Sequence, residues 1–192
     1  MKYLGFLFNI LNGSFSVMGF FKQVMIERNM ISHANKITSV NITAMKVWLA
    51  WAAGNIVLGG VLIFFSSGIL LAFAELMVIW NIVSAVLAFL GLQVAKSTAV
   101  KLLANLSPLS LIRYLHSLEK LFVFGAGLDI AYSILGVYLI EKGTTIESTM
   151  WAGFGAAVIV QAMFLLGLDS VLYFLNRKAS RQVFAELEEP EN

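Results

Sequence analysis

The chain has 192 residues, 59% of them apolar and 12% charged, with a formal net charge of +2 and a mean hydropathy of +0.86. Soluble domains run at roughly half apolar and a quarter charged, so a water-soluble fold is excluded and the spans must be counted instead. The lack of cysteine rules out disulfides and thiolate chemistry, and the lack of polybasic runs interleaved with aromatics argues against nucleic acid as a partner.

The first 21 residues form an apolar stretch interrupted by Asn9, Asn12, Ser14 and Ser16. Leu4, Leu7, Phe8, Leu11, Phe15 and Met18 share one helical stripe, with the polar residues opposite, which fits a helix lying in the membrane interface. A fifth span is the rival reading, because it would leave only Lys2 on the far side. The stretch lacks a convincing small-x-small cleavage site, so a removed signal peptide is not expected.

A helix needs about 20 apolar residues to cross a hydrocarbon core of roughly 30 Å. Four stretches qualify: Val47 to Phe65, Phe73 to Val94, Leu121 to Ile140 and Trp151 to Leu175. The connections "SSGILLA" and "EKGTTIEST" are short, which makes neighbouring spans antiparallel. The expected fold is therefore all-α, an integral membrane up-and-down four-helix bundle. Its units are an N-terminal amphipathic segment over 1–46, a four-span membrane domain over 47–176 and a cytoplasmic tail over 177–192.

Lys22, Arg28, Lys36, Lys46, Lys96, Lys101, Arg113, Lys120, Arg177, Lys178 and Arg181 fall on one side of these spans, and Lys142 on the other. Loops rich in Lys and Arg stay in the cytoplasm. That places the C-terminus there, in what is expected to be a bacterial cytoplasmic (inner) membrane. Between spans two and three, Ser107-Pro108 signals the start of a helix projecting from the cytoplasmic face. Its stripe of Leu111, Ile112, Leu115 and Leu118 must cover the prolonged second helix, the lipid surface or a protein partner at this hairpin.

Two acids, Asp129 and Asp169, stand alone within apolar runs. Counting 1.5 Å per residue from the nearest basic residue puts them and Asn55 at roughly 12 to 14 Å, and Asn81 and Gln161 at roughly 22 to 24 Å, from the cytoplasmic edge. Ionisable groups at such depth turn inward and find partners. Phe122, Gly125, Asp129, Tyr132 and Gly136 recur at helical spacing, and small residues let helices approach closely. The candidate ligand- or proton-binding set is Asp129, Asp169, Asn55, Asn81, Gln161 and Tyr132. Two carboxyls together in low dielectric cannot both stay ionised cheaply, so at least one should carry a proton. A homo-oligomer would instead turn one acid toward a neighbouring subunit.

No nucleophile with a base, phosphate loop or metal-ligand spacing is visible, so neither an enzyme nor a cofactor is expected. His33 and His116 read as solvated or interfacial residues, and the four tryptophans as membrane anchors. The order Gly125-Ala126-Gly127-Leu128-Asp129 has one residue more than the Gly-x-Gly-Asp motif of intramembrane aspartyl proteases, which turns the acid by about 100°. The function expected is a non-enzymatic membrane module, an accessory, assembly or scaffold protein. The alternative is a small transporter or ion-binding protein using Asp129 and Asp169.

"LEKLFVFGAGLDIAYSILGVYLIEKG", the Trp80-Asn81 pair and "GFGAAVIVQAMFLLGLD" together resemble an uncharacterised bacterial family of small four-span membrane proteins, over about Val47 to Asp169. The resemblance implies that Asn81, the Gly127-Leu128-Asp129 triplet with Tyr132, and Gln161 with Asp169 are marked positions. Gly125 and Ser84 stand where it implies further asparagines.

Overall fold

A computed structural model describes residues 17–188, with side chains described for 24–187. Of residues 1–21, read as an interfacial helix or a fifth span, 1–16 lie outside the described residues, as do residues 189–192 of the acidic tail, while 17–21 begin the first helix. Four helices account for the rest: α1 (Val17–Phe65), α2 (Gly68–Ala104), α3 (Pro108–Thr145) and α4 (Thr149–Glu188), with no strand among the described residues. All four are long and apolar enough to cross a membrane. They contain 37 to 49 residues each, about 56 to 74 Å at 1.5 Å per residue, or roughly twice the hydrocarbon core. Each span therefore continues as helix beyond the membrane, toward the basic end, where α1 begins, α2 gives way to α3, and α4 finishes.

The turns are tighter than the sequence suggests, because helix extends into both stretches expected as loops. Residues 66–67 join α1 to α2, and Gly68, at a φ of +59°, takes the left-handed conformation that lets the chain reverse there. Residues 105–107 join α2 to α3. The start of α3 falls at Pro108, as expected: Ser107 Oγ accepts from the Ser110 N–H and Ser110 Oγ accepts from the Ser107 N–H. Residues 146–148 close α3 onto α4. The Ser148 N–H donates to the Gly143 carbonyl at 2.8 Å and the Glu147 N–H to the Thr144 carbonyl at 3.4 Å, the paired closure usually built around a left-handed glycine. Here that residue is Glu147, at a φ of +53°. Glu147→Gly should stabilise the protein by about 0.5–1 kcal/mol by removing the Cβ clash, read as a higher melting temperature in detergent.

The four helices form two antiparallel hairpins, α1/α2 and α3/α4, joined mainly where α2 lies against α4. Contact between α1 and α4 is lighter, and α2 and α3 scarcely touch. Inside the membrane-spanning part the crossings use small residues, because burying leucine yields little when lipid is equally apolar. Gly155 lies against Gly136 so closely that a Cβ there would meet the Gly136 carbonyl and sit 2.8 Å from the Ile140 nitrogen.

The basic end follows the other rule. Water surrounds it, so apolar burial is favourable again. Ala34 and Ile37 of α1, Leu102 of α2, Leu111 and Leu115 of α3 and Val183 of α4 form one core. The stripe on the start of α3 is thus covered by the chain's own helices. His33 Nε2 and Glu186 Oε1, 2.9 Å apart, tie α1 to α4 beside it.

Candidate functional site

A polar side chain within a membrane span can satisfy itself on its own helix or reach across to another. The asparagines take the first course. Asn55 Nδ2 donates to the Trp51 carbonyl at 2.8 Å and Asn81 Nδ2 to the Met77 carbonyl at 2.7 Å, each one turn back. These bonds also fix the amide orientations, so each Oδ1 faces away from that carbonyl. Gln161 reaches across: its Oε1 accepts from Trp51 Nε1 at 3.0 Å. Trp51, expected as an interfacial anchor, instead stacks on Phe164 with ring centroids 4.1 Å apart, inside the α1/α4 contact.

Asp169 of α4 rests on Gly125 of α3, where a Cβ would overlap its Oδ2. Gly136 on Gly155 and Ile159 sets the same antiparallel register further along. Asp129, one turn beyond Gly125, therefore stands between Asp169 and Gln161, about 6 Å in height from each. With Asp169 seated on Gly125, the two acids stand on facing helices one turn apart in height. Asp129 is 4% exposed and Asp169 half-buried.

In α1 and α2, Gly59 on Ala74 and Gly91 on Met45 place Asn55 level with Asn81. Asn55 thus belongs to the layer of Asn81 and Gln161, not to that of the acids. Counting from Lys46 misplaced it because Gly91 on Met45 sets that lysine level with residue 90 of α2, well inside Lys96, from which Asn81 is counted. Tyr132 is not drawn in: it is 37% exposed and meets Trp80 edge-on, with centroids 5.4 Å apart. Ser84, buried on α2, faces inward one turn from Asn81.

Three buried atoms in this polar seam have no hydrogen-bond partner: Asn81 Oδ1, Asp129 Oδ2 and Gln161 Nε2. Each such atom costs about 1–3 kcal/mol if left dry. Two acceptors and one donor suit a proton on the acid and a small polar molecule such as water. Among the described residues no three His, Cys, Asp or Glu side chains converge as metal ligands.

These features define a membrane protein of four apolar helices with an acid-bearing polar seam between its hairpins. Residues 47–170 match the model of a family of unknown function (DUF6992), and the chain belongs to that family. No curated protein and no solved structure matches the chain.

Proposed function

We propose that this chain is a non-enzymatic membrane module of a bacterial cytoplasmic membrane, its basic end in the cytoplasm, whose polar seam holds an exchangeable proton on Asp129 and Asp169. The unpartnered atoms Asn81 Oδ1, Asp129 Oδ2 and Gln161 Nε2 support this reading. A seam serving solely as glue would pair such atoms across helices, yet both asparagines bond to their own helix. Asp129→Asn preserves shape while removing the acid. In proteoliposomes, a pH jump should drive more proton uptake by the wild type than by Asp129→Asn, and least by the Asp129→Asn/Asp169→Asn pair, which keeps only the uptake of the remaining carboxyls and histidines, with helicity unchanged. Equal uptake by all three would refute the reading. For the orientation, the cysteine-free chain allows single probes: Arg181→Cys should react with an impermeant maleimide solely after the cytoplasmic face is opened, and Glu147→Cys before.

A second reading, an accessory or assembly scaffold, draws on the packing of both ends. Gly155 on Gly136 clamps the far end and the Leu111–Leu115 core clamps the basic end, which suits a rigid frame better than a bundle that rocks. On this reading the double Asn variant keeps the full cellular phenotype.

A further inference from the structure

The light contact between α1 and α4 leaves a cavity of about 140 Å³ between them toward the basic end. His33, Lys36 and Val40 line it from α1, and Leu175, Lys178 and Gln182 from α4. Each triplet recurs every three or four residues and so forms one stripe of its helix. On α4 the stripe starts at Leu175, where the apolar run ends, and continues about 10 Å toward the basic end. The cavity has the space of about four or five waters, which is also room for one tetrahedral oxyanion.

The charge of this cavity is one-sided. Lys36 and Lys178 line it from facing helices, and among the described residues no Asp or Glu lines it and neither lysine pairs with a carboxylate. The rule that gathers basic residues in the cytoplasm accounts for their number. It does not account for two of them sharing one small cavity, where like charges repel. Elsewhere at this end acids do meet basic side chains: Glu186 Oε1 lies 2.9 Å from His33 Nε2, and Glu119 Oε2 lies 3.7 Å from His116 Nδ1. An anion between the lysines turns one repulsion into two attractions. Two positive charges on so small a volume match a dianion, and a phosphate monoester carries about −1.5 to −2 on one compact group at pH 7. Gln182 adds amide N–H donors, and Val40 and Leu175 give the carbon side of an ester an apolar margin.

We propose that this cavity binds a phosphate monoester dianion between Lys36 and Lys178, presented by a phospholipid with a monoester headgroup or by a soluble phosphate. The full chain, delipidated in detergent at constant ionic strength, is titrated with inorganic phosphate by calorimetry, and with phosphatidic acid or phosphatidylglycerol by native mass spectrometry. At least one monoester probe should saturate at one per chain. Saturation by inorganic phosphate assigns a soluble ligand. Phosphatidic acid bound at least about tenfold tighter than phosphatidylglycerol, a diester with one charge, assigns a lipid. Lys36→Gln and Lys178→Gln should each weaken that binding at least about tenfold, the worth of one charge-assisted hydrogen bond. Lys101→Gln removes a cation of the same end that does not line the cavity, and should change binding by less than about twofold because solvent screens it. All three lysines are exposed, so the variants should keep wild-type helicity by circular dichroism. No saturable binding of either monoester, equal affinity for the two lipids with no binding of inorganic phosphate, or equal weakening by Lys101→Gln and the cavity variants would each overturn the proposal.

Discussion

Gly155→Leu should destabilise the protein by about 3 kcal/mol or more and separate the α3/α4 hairpin. A Cβ at Gly155 runs into the Gly136 carbonyl and the Ile140 nitrogen. These are backbone atoms, so no rotamer change relieves the overlap and the helices must move apart. Overpacking of well-packed sites costs about 1–3 kcal/mol even where side chains can yield, and here the dispersion contacts that replace the hydrophobic effect in lipid would be lost along the whole crossing. Reversible unfolding in mixed micelles measures the loss. Gly127→Leu is the control, since nothing lies within 4 Å of a Cβ there. It should be neutral or raise stability by up to about 1 kcal/mol through helix propensity. If the two variants behave alike, the close crossing is not what holds the hairpin.

Leu115→Ala should cost about 2–5 kcal/mol by a different mechanism, the cavity left in a water-surrounded core. Leu115 is fully buried, in one cluster with Leu111, Ile37 and Leu102. Leu109, 56% exposed on the same helix, should tolerate alanine within about 0.5 kcal/mol. Because the core joins all four helices, its loss should be felt beyond the basic end, and hydrogen exchange should report faster opening at Ala34 and Val183 along with the start of α3. Exchange confined to α3 would show that the four helix ends fold independently.

The contrast between these two sites explains how much could be read in advance. Apolar run length gave four helices, and Ser107-Pro108 gave the start of α3, because both signals are local. The isolation of Asp129 and Asp169 in leucine-rich runs marked the seam for the same reason. Asn55 went to the wrong layer since Lys46 sits deeper along the bundle than Lys96, a difference in height that only the packing of Gly91 on Met45 reveals. Trp51 looked like an anchor because its composition does, while its partner Gln161 lies 110 residues away. Tyr132 sits at the right helical spacing, yet its ring turns to Trp80. The open α2/α3 seam left no trace, because it depends on which helices fail to meet.

The seat of Asp169 is an empty place on α3, the hydrogen of Gly125 where other residues carry a side chain. Position and counter-position therefore constrain each other through evolution. A side chain gained at 125 must turn the carboxyl at 169 aside, so where the family pattern carries an asparagine at 125, the acid at 169 should rest against that amide and not on bare backbone.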